Sequence, residues 1–204
     1  MDVLVRPATV ADHAHGLLYE SARPYYDAFA GSEARARRML AVVWERGGHT
    51  ASWDVCAVAT ADGALAGVLA GYAVAEGDRR ARRFLRLAIP RLPARQWPGV
   101  WRHLRAAGRL APLPPAGAFY VDALAVDPAW RRHGVAAALL EDAAQRARAA
   151  GLAGIALDTG LDNTPARALY ERTGFESREV RRVASAAMER AVGGRGFVAY
   201  YRGL

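Results

Sequence analysis

The run Phe119 to Val126 has the alternation of a strand, and the residues from about Gly134 to Ala150, stopped by Gly151, have the spacing of a helix. The turn between them is electrostatically odd. Helix N-termini expose unpaired N–H groups and partial positive charge, and they recruit Ser, Thr, Asp or Asn caps and first-turn acids. Here the lead-in is Arg131-Arg-His-Gly134, and no acid follows until Glu141. An anion docked at the helix start would resolve the conflict, because N–H groups, dipole and guanidinium then converge on one negative charge. Gly134 and Ala136 lack the bulk that would hold a ligand off the backbone. The segment has neither the Gly-Lys-Ser/Thr of a P-loop nor a Gly-x-Gly-x-x-Gly turn. The expected guest is a diphosphate bound without magnesium.

The rest of the chain mixes helical and strand patterns without repeats or low-complexity linkers. Val3-Leu-Val-Arg-Pro7 reads as a first strand, with Thr9 or Asp12 opening a helix that reaches about Tyr19. Ser32 is the expected cap of a second helix ending near Arg46. Asp54 to Thr60 and Ala64 to Val74 read as strands joined through Asp62-Gly63, a hairpin signal. After the central helix come a strand from Leu152 to Thr159 and a short helix from Pro165 to Arg172 stopped by Gly174. Phe175 to Val183 and Phe197 to Arg202 close the sheet. This is a mixed α/β order whose sheet need not be purely parallel. At 204 residues and 52% hydrophobic the chain suits one domain, 1–204.

The net charge of +8 is local. All 28 basic residues are Arg, and ten of them lie between Glu76 and Ala116, opposed only by Glu76 and Asp78. The remainder is neutral, so the charge belongs to an insert at about 76–116. Pro90 and Pro93 break it into two helical pieces, and Pro112, Pro114 and Pro115 end it. Ala81, Phe84, Leu85 and Ala88 share one face. Trp97, Val100, Trp101 and Leu104 form an apolar stripe, expected to be buried against the domain or a second subunit, which makes a homodimer one expected outcome. The single cysteine, Cys56, excludes an internal disulfide and reads as a buried strand thiol in a reducing cytoplasm. No run approaches the ~20 apolar residues of a membrane span, and the N-terminus lacks a signal-peptide core. The expectation is a soluble cytoplasmic protein without a membrane partner.

Two blocks carry a family resemblance. Leu124-Ala-Val126-Asp-Pro128 followed by Arg131-Arg-His-Gly134-Val-Ala136 resembles the acetyl-CoA motif of the GNAT superfamily of N-acetyltransferases. Asn163-Thr-Pro-Ala166-Arg-Ala-Leu-Tyr170-Glu-Arg-Thr-Gly174-Phe175 is similar to its second block. The similarity extends from Arg6-Pro-Ala-Thr9 to the last strand, and the Arg-rich helical insert between the third and fourth strands departs from it. The resemblance implies a central, mostly antiparallel sheet splayed between strands four and five, with helices on both faces. It also implies acetyl-CoA as cosubstrate, with no metal. Leu124, Ala125 and Val126 would pair with pantetheine, and the amides of Arg131, Arg132, His133, Gly134, Val135 and Ala136 would hold the pyrophosphate. Asn163 would bond the pantetheine or cofactor edge, and Tyr170 would lie near the thioester sulfur.

Acetyl transfer needs a neutral amine, a polarised carbonyl and a proton for the leaving thiolate. An alkylamine has a pKa near ~10.4, so a base must take its proton. Asp122, two residues before Leu124, is the expected base; Asp158 is a second candidate, and Glu20 and Glu76 stay open. Tyr170 would protonate the thiolate, and the Val126 N–H would polarise the carbonyl. Tyr25, Tyr26, Phe29 and Trp53 either line an acceptor pocket or pack in the core. His13-Ala-His15 has no third ligand at metal spacing.

The partners expected are therefore acetyl-CoA and an amine acceptor, a small molecule or a peptide, meeting in a ternary complex. The alternative is a non-catalytic or macromolecule-directed protein whose basic insert binds RNA or another acidic surface. Nucleic acid is not the expected partner, because Trp97 and Trp101 fall on an apolar face instead of alternating with Arg.

Overall fold

The strands of the computed structural model, which describes residues 2–204, are β1 (Val3–Pro7), β2 (Cys56–Ala61), β3 (Ala64–Ala73), β4 (Ala118–Val126), β5 (Gly154–Gly160), β6 (Glu176–Arg182) and β7 (Gly196–Gly203). They form one seven-stranded sheet in the order β1-β2-β3-β4-β5-β7-β6. Only β4 and β5 are parallel; every other neighbouring pair is antiparallel. Asp62 and Gly63 take left-handed φ of 48° and 81° and close the β2–β3 hairpin, as an Asp-Gly pair should.

The helices are α1 (His15–Ser21), α2 (Arg23–Ala30), α3 (Glu33–Trp44), α4 (Gly77–Ala88), α5 (Trp97–Leu110), α6 (Val135–Ala149), α7 (Thr164–Arg172) and α8 (Ala186–Val192). They cover both faces of the sheet. On one face Leu18, Phe29, Met39, Trp44, Phe84 and Val100 pack over Val58, Val68 and Tyr72. On the other, Leu139, Leu140 and Tyr170 pack over Leu69, Val121 and Leu157. A Cβ at Gly67 would lie 3.0 Å from the Val135 and Leu139 side chains, so glycine there lets α6 sit close on β3.

Three expectations change. The first helix is divided: Val10–Asp12 is a 3-10 turn capped by Thr9 and Asp12, and left-handed His13 ends it before α1 begins. Arg6 forms an ion pair with Asp12 at 2.5 Å, and together with the Thr9 bonds it holds that carboxyl down at about 2. Helices α2 and α8, absent from the sequence reading, are short and gain their order from packing on α5.

The third change concerns the insert. Its ends meet, since Ala73 pairs with Phe119, and Phe84, Ala88 and Val100 are buried as the helical spacing predicts. The tryptophans are not. Trp97 and Trp101 are 42% and 57% exposed, and His103 takes the buried position beside Val100. Helix α5 has rolled so that His103 donates from Nδ1 to the Ala191 carbonyl, 2.6 Å away on α8. The charged piece is tied down by Arg80, bonded to Glu76 and Asp54, and by Arg83, which donates to the Gly47 carbonyl.

Candidate functional site

The β4–β5 ladder ends early. Pairing runs from Ala118↔Gly154 to Val121↔Leu157, although both strands continue past those rungs. Beyond Val121 the two strands diverge, which is the splay that the resemblance implies. On its other edge β4 is bulged at the same point: Gly71 pairs with Val121 and Ala70 with Ala123, leaving Asp122 opposite no residue of β3. A bulge inserts one residue, bends the strand and re-aims a side chain. The bulge is braced from α6, where Arg146 donates to the Gly71 and Val55 carbonyls at 3.1 and 3.2 Å.

Asp122 opens to solvent on the cleft side but is otherwise ringed by protein. That surround raises its carboxyl to about 7; the Tyr72 phenol opposes the shift and the charge of Asp158 adds to it. Asp158, one residue past the last β4–β5 rung, is likewise raised by burial. It accepts a hydrogen bond from the Tyr120 hydroxyl at 2.5 Å. No Arg forms an ion pair with either acid among the described residues. Tyr72 and Tyr120 were missed from the sequence. Tyr120 was findable, since a residue two before Asp122 shares its strand face; Tyr72 depends on β3–β4 register, which local pattern does not carry.

The start of α6 matches the reading of its sequence. Gly134 is the N-cap residue at φ 80°, no side chain caps the helix, and its first turn has no acid. The amides that open a helix have no intrahelical acceptor. Arg132 also has left-handed backbone, φ 65°, and nothing lies within 4 Å of where a Gly134 Cβ would stand. Arg131, Arg132, His133 and Gly134 are all exposed, Val135 is buried, and Ala136 is partly buried. The Arg131 side chain folds back, donating from Nε to the Val126 carbonyl at 3.2 Å. Asp127 N–H bonds Ala66 across β3, and peptide groups alternate sides along a strand, so those of Leu124 and Val126 face the opening, with Ala125 turned to β3.

Tyr170 projects from α7 into the core on the α6 face of the sheet. Its ring is buried, 5.8 Å from Phe175 and 5.6 Å from Tyr200 between centroids. Its hydroxyl has no hydrogen-bond partner among the described residues, whereas Tyr200 donates to Glu171 at 2.9 Å. Burial, then the charges of Asp158 and Tyr200, push the Tyr170 phenol up. Asn163 is engaged internally: its oxygen caps α7 at Ala166 N–H, and its amide donates to Thr159 at 3.2 Å. Tyr26 and Phe29 are core side chains, 7% and 1% exposed, while Tyr25 and Trp53 are half-buried. Cys56 is buried, and its thiol points to the Ser52 carbonyl. Among the described residues no three His, Cys, Asp or Glu gather to hold a metal ion, and no helix is long and apolar enough to cross a membrane.

A splayed parallel pair beside an uncapped helix defines a class of acyl-transfer folds, and sequence comparison identifies which. Residues 17–175 match the model of the acetyltransferase (GNAT) family, and the chain belongs to that family. No curated protein matches it by sequence. Among solved structures it is similar to an N-acetyltransferase from Staphylococcus aureus Mu50, at 14% identity and TM-score 0.72 over 97% of this chain and 99% of that one. It is also similar to an acetyltransferase at 19% identity and TM-score 0.63, with 98% of each chain covered. An agmatine N-acetyltransferase variant in its apo form aligns over 100% of both chains at 18% identity and TM-score 0.61. At these identities the likeness is one of fold.

Proposed function

We propose that the protein transfers acetyl from acetyl-CoA to a primary amine by direct attack in a ternary complex. The observation that carries this reading is the meeting of a bare helix N-terminus with the open edge of β4. The residues fit the group: Arg131 N–H is taken by the Pro128 carbonyl at 3.5 Å, the amides from Arg132 to Ala136 are left as donors for a diphosphate, and the free edge at Leu124 and Val126 suits an extended pantetheine arm. Asn163 supports this edge by fixing the start of α7. Acetyl-CoA supplies the activated thioester; the chain supplies the proton traffic.

Asp122 takes a proton from the acceptor nitrogen. A carboxylate titrating at about 7 is half ionised at neutral pH, where a base of matched pKa works best. The Val126 N–H faces the carbonyl oxygen and stabilises the charge that develops there. As the C–N bond forms and the C–S bond breaks, Tyr170 gives its proton to the departing sulfur. Asp122 later returns its proton to solvent, and the second proton that the nitrogen releases as the amide forms replaces the one Tyr170 gave up, so the products are the amide and the free thiol. Burial keeps the Tyr170 phenol protonated through the working range.

Free-thiol release from acetyl-CoA with a panel of primary amines, in excess chelator, tests this reading. Amine-dependent release is expected. Metal-dependent CoA binding, or CoA binding without any amine-dependent release, overturns it.

A further inference from the structure

We propose that a slot beneath the Pro112–Pro115 segment receives the acceptor and selects a primary amine carried on a small, apolar, uncharged body. The inference rests on the acetyl-transfer reading above and names its substrate class.

The slot has a volume of about 310 Å³ and lies on the sheet face opposite α6. Its floor is made by the small residues Ala156 and Ala199 of β5 and β7, with Asp158 directly opposite Ala199 in the ladder. Leu113 and Pro114 form its roof. Prolines in the roof lack the N–H that would let the segment add to the sheet, so it spans the strands without pairing. Arg181 on β6 holds it by donating to the Ala111 carbonyl at 2.9 Å. Leu113 is 84% exposed, a large apolar side chain with no core to enter.

The inner end of the slot is Tyr120 with Asp158. This end stands at the last β4–β5 rung, where the cleft opens. An ionised carboxylate accepts at two oxygens with about four sites, and Tyr120 uses one. The remaining sites suit the N–H donors of an ammonium, and Asp158 has no Arg that would compete for them. Asp158 would thus hold the arriving cation, while Asp122 takes the proton that must leave. The outer rim is neutral: Arg178 pairs with Glu176 and Glu179 with Arg181. A volume at the low end of ligand pockets fits a small molecule. A carboxylate beside the amine would be forced against Asp158 and Asp122, which like-charge repulsion disfavours.

The test uses purified full-length chain at saturating acetyl-CoA with 2-phenylethylamine and L-phenylalanine, two amines that share a body and differ by a carboxylate. The expected kcat/KM favours phenylethylamine by about 100-fold or more, as like-charge juxtaposition demands. Asp158→Asn should raise its KM roughly tenfold, with little change in kcat, as loss of one charged hydrogen bond does. Leu113→Arg, at an exposed position that leaves the fold intact, should raise the same KM and leave the KM of acetyl-CoA unchanged. Calorimetry of CoA separates failure of the donor site from failure of the slot. If CoA does not bind, the donor reading fails. If CoA binds but the two amines are used equally, or neither is used while a peptide amine is, the slot proposal is overturned. Unchanged KM in both variants overturns it as well.

Discussion

Tyr120 donates its phenolic hydrogen to Asp158 across the gap where β4 and β5 part, at 2.5 Å. The bond joins the two strands just beyond their last paired rung, so the mouth of the splay is held by side chains. Asp122, on the bulge, faces the Tyr72 phenol instead. Two acids at one cleft thereby acquire different surroundings, and the proposed division of labour between base and cation anchor follows from that difference.

Activity should depend on pH through Asp122. With its carboxyl at about 7, kcat/KM at fixed neutral-amine concentration should climb roughly tenfold per unit below that value and level off above it. Asp122→Asn should abolish this limb. A wild-type profile that is flat from about pH 5 to 8, or a limb that survives in the variant, removes Asp122 as base.

The same shift has a consequence for stability. A carboxyl raised in the folded state binds a proton that the unfolded chain has released between about pH 4 and 7, so its contribution to stability falls as pH rises through that window. Asp122→Asn should melt above the wild type at about pH 8, with the difference gone by about pH 4. Parallel melting curves at both values would show that Asp122 is not held in a desolvated surround.

Tyr170→Phe keeps the ring against Phe175 and Tyr200 and removes only the hydroxyl, which has no protein partner to lose. Stability should be unchanged within about 0.5 kcal/mol, while kcat falls by ~10² or more. CoA affinity, measured by calorimetry, should hold. An unaltered kcat assigns the proton to another donor.

Gly134→Val should weaken CoA binding and cost the fold little. Its φ of 80° is left-handed, a conformation costing an L side chain about 1–2 kcal/mol, and the site around it is open. Gly134→Asn, which tolerates that backbone, separates the two effects: the strain should shrink and the obstruction should remain. CoA affinity equal to wild type in both variants would take Gly134 out of the site.

The insert should behave as core on one side and surface on the other. Phe84→Ala, at an 8% exposed position, should destabilise by about 3–5 kcal/mol. Trp101→Ser, at 57% exposure, should stay within about 0.5 kcal/mol. Chemical denaturation of both decides it; equal losses would mean that Trp101 is packed.

What the sequence determined is what neighbouring residues decide among themselves. Asp62-Gly63 made a turn, Gly134 and the absence of a nearby acid made a bare helix start, and apolar spacing placed the buried side of α4, because each rests on backbone preference or a period of a few residues. The tertiary structure decided the rest. Unbroken alternation would put Leu124 on the face of Tyr120; the bulge at Asp122 shifts the phase, so Leu124 and Val126 pack toward α6 while Ala123 and Ala125 face the other core. The roll of α5 that exposes Trp97 and Trp101 was set in the same way, by α2 and α8 offering a seat to Val100 and His103. Register and helix roll are settled by contacts between segments far apart in the chain, and those contacts leave no periodic trace in either segment alone.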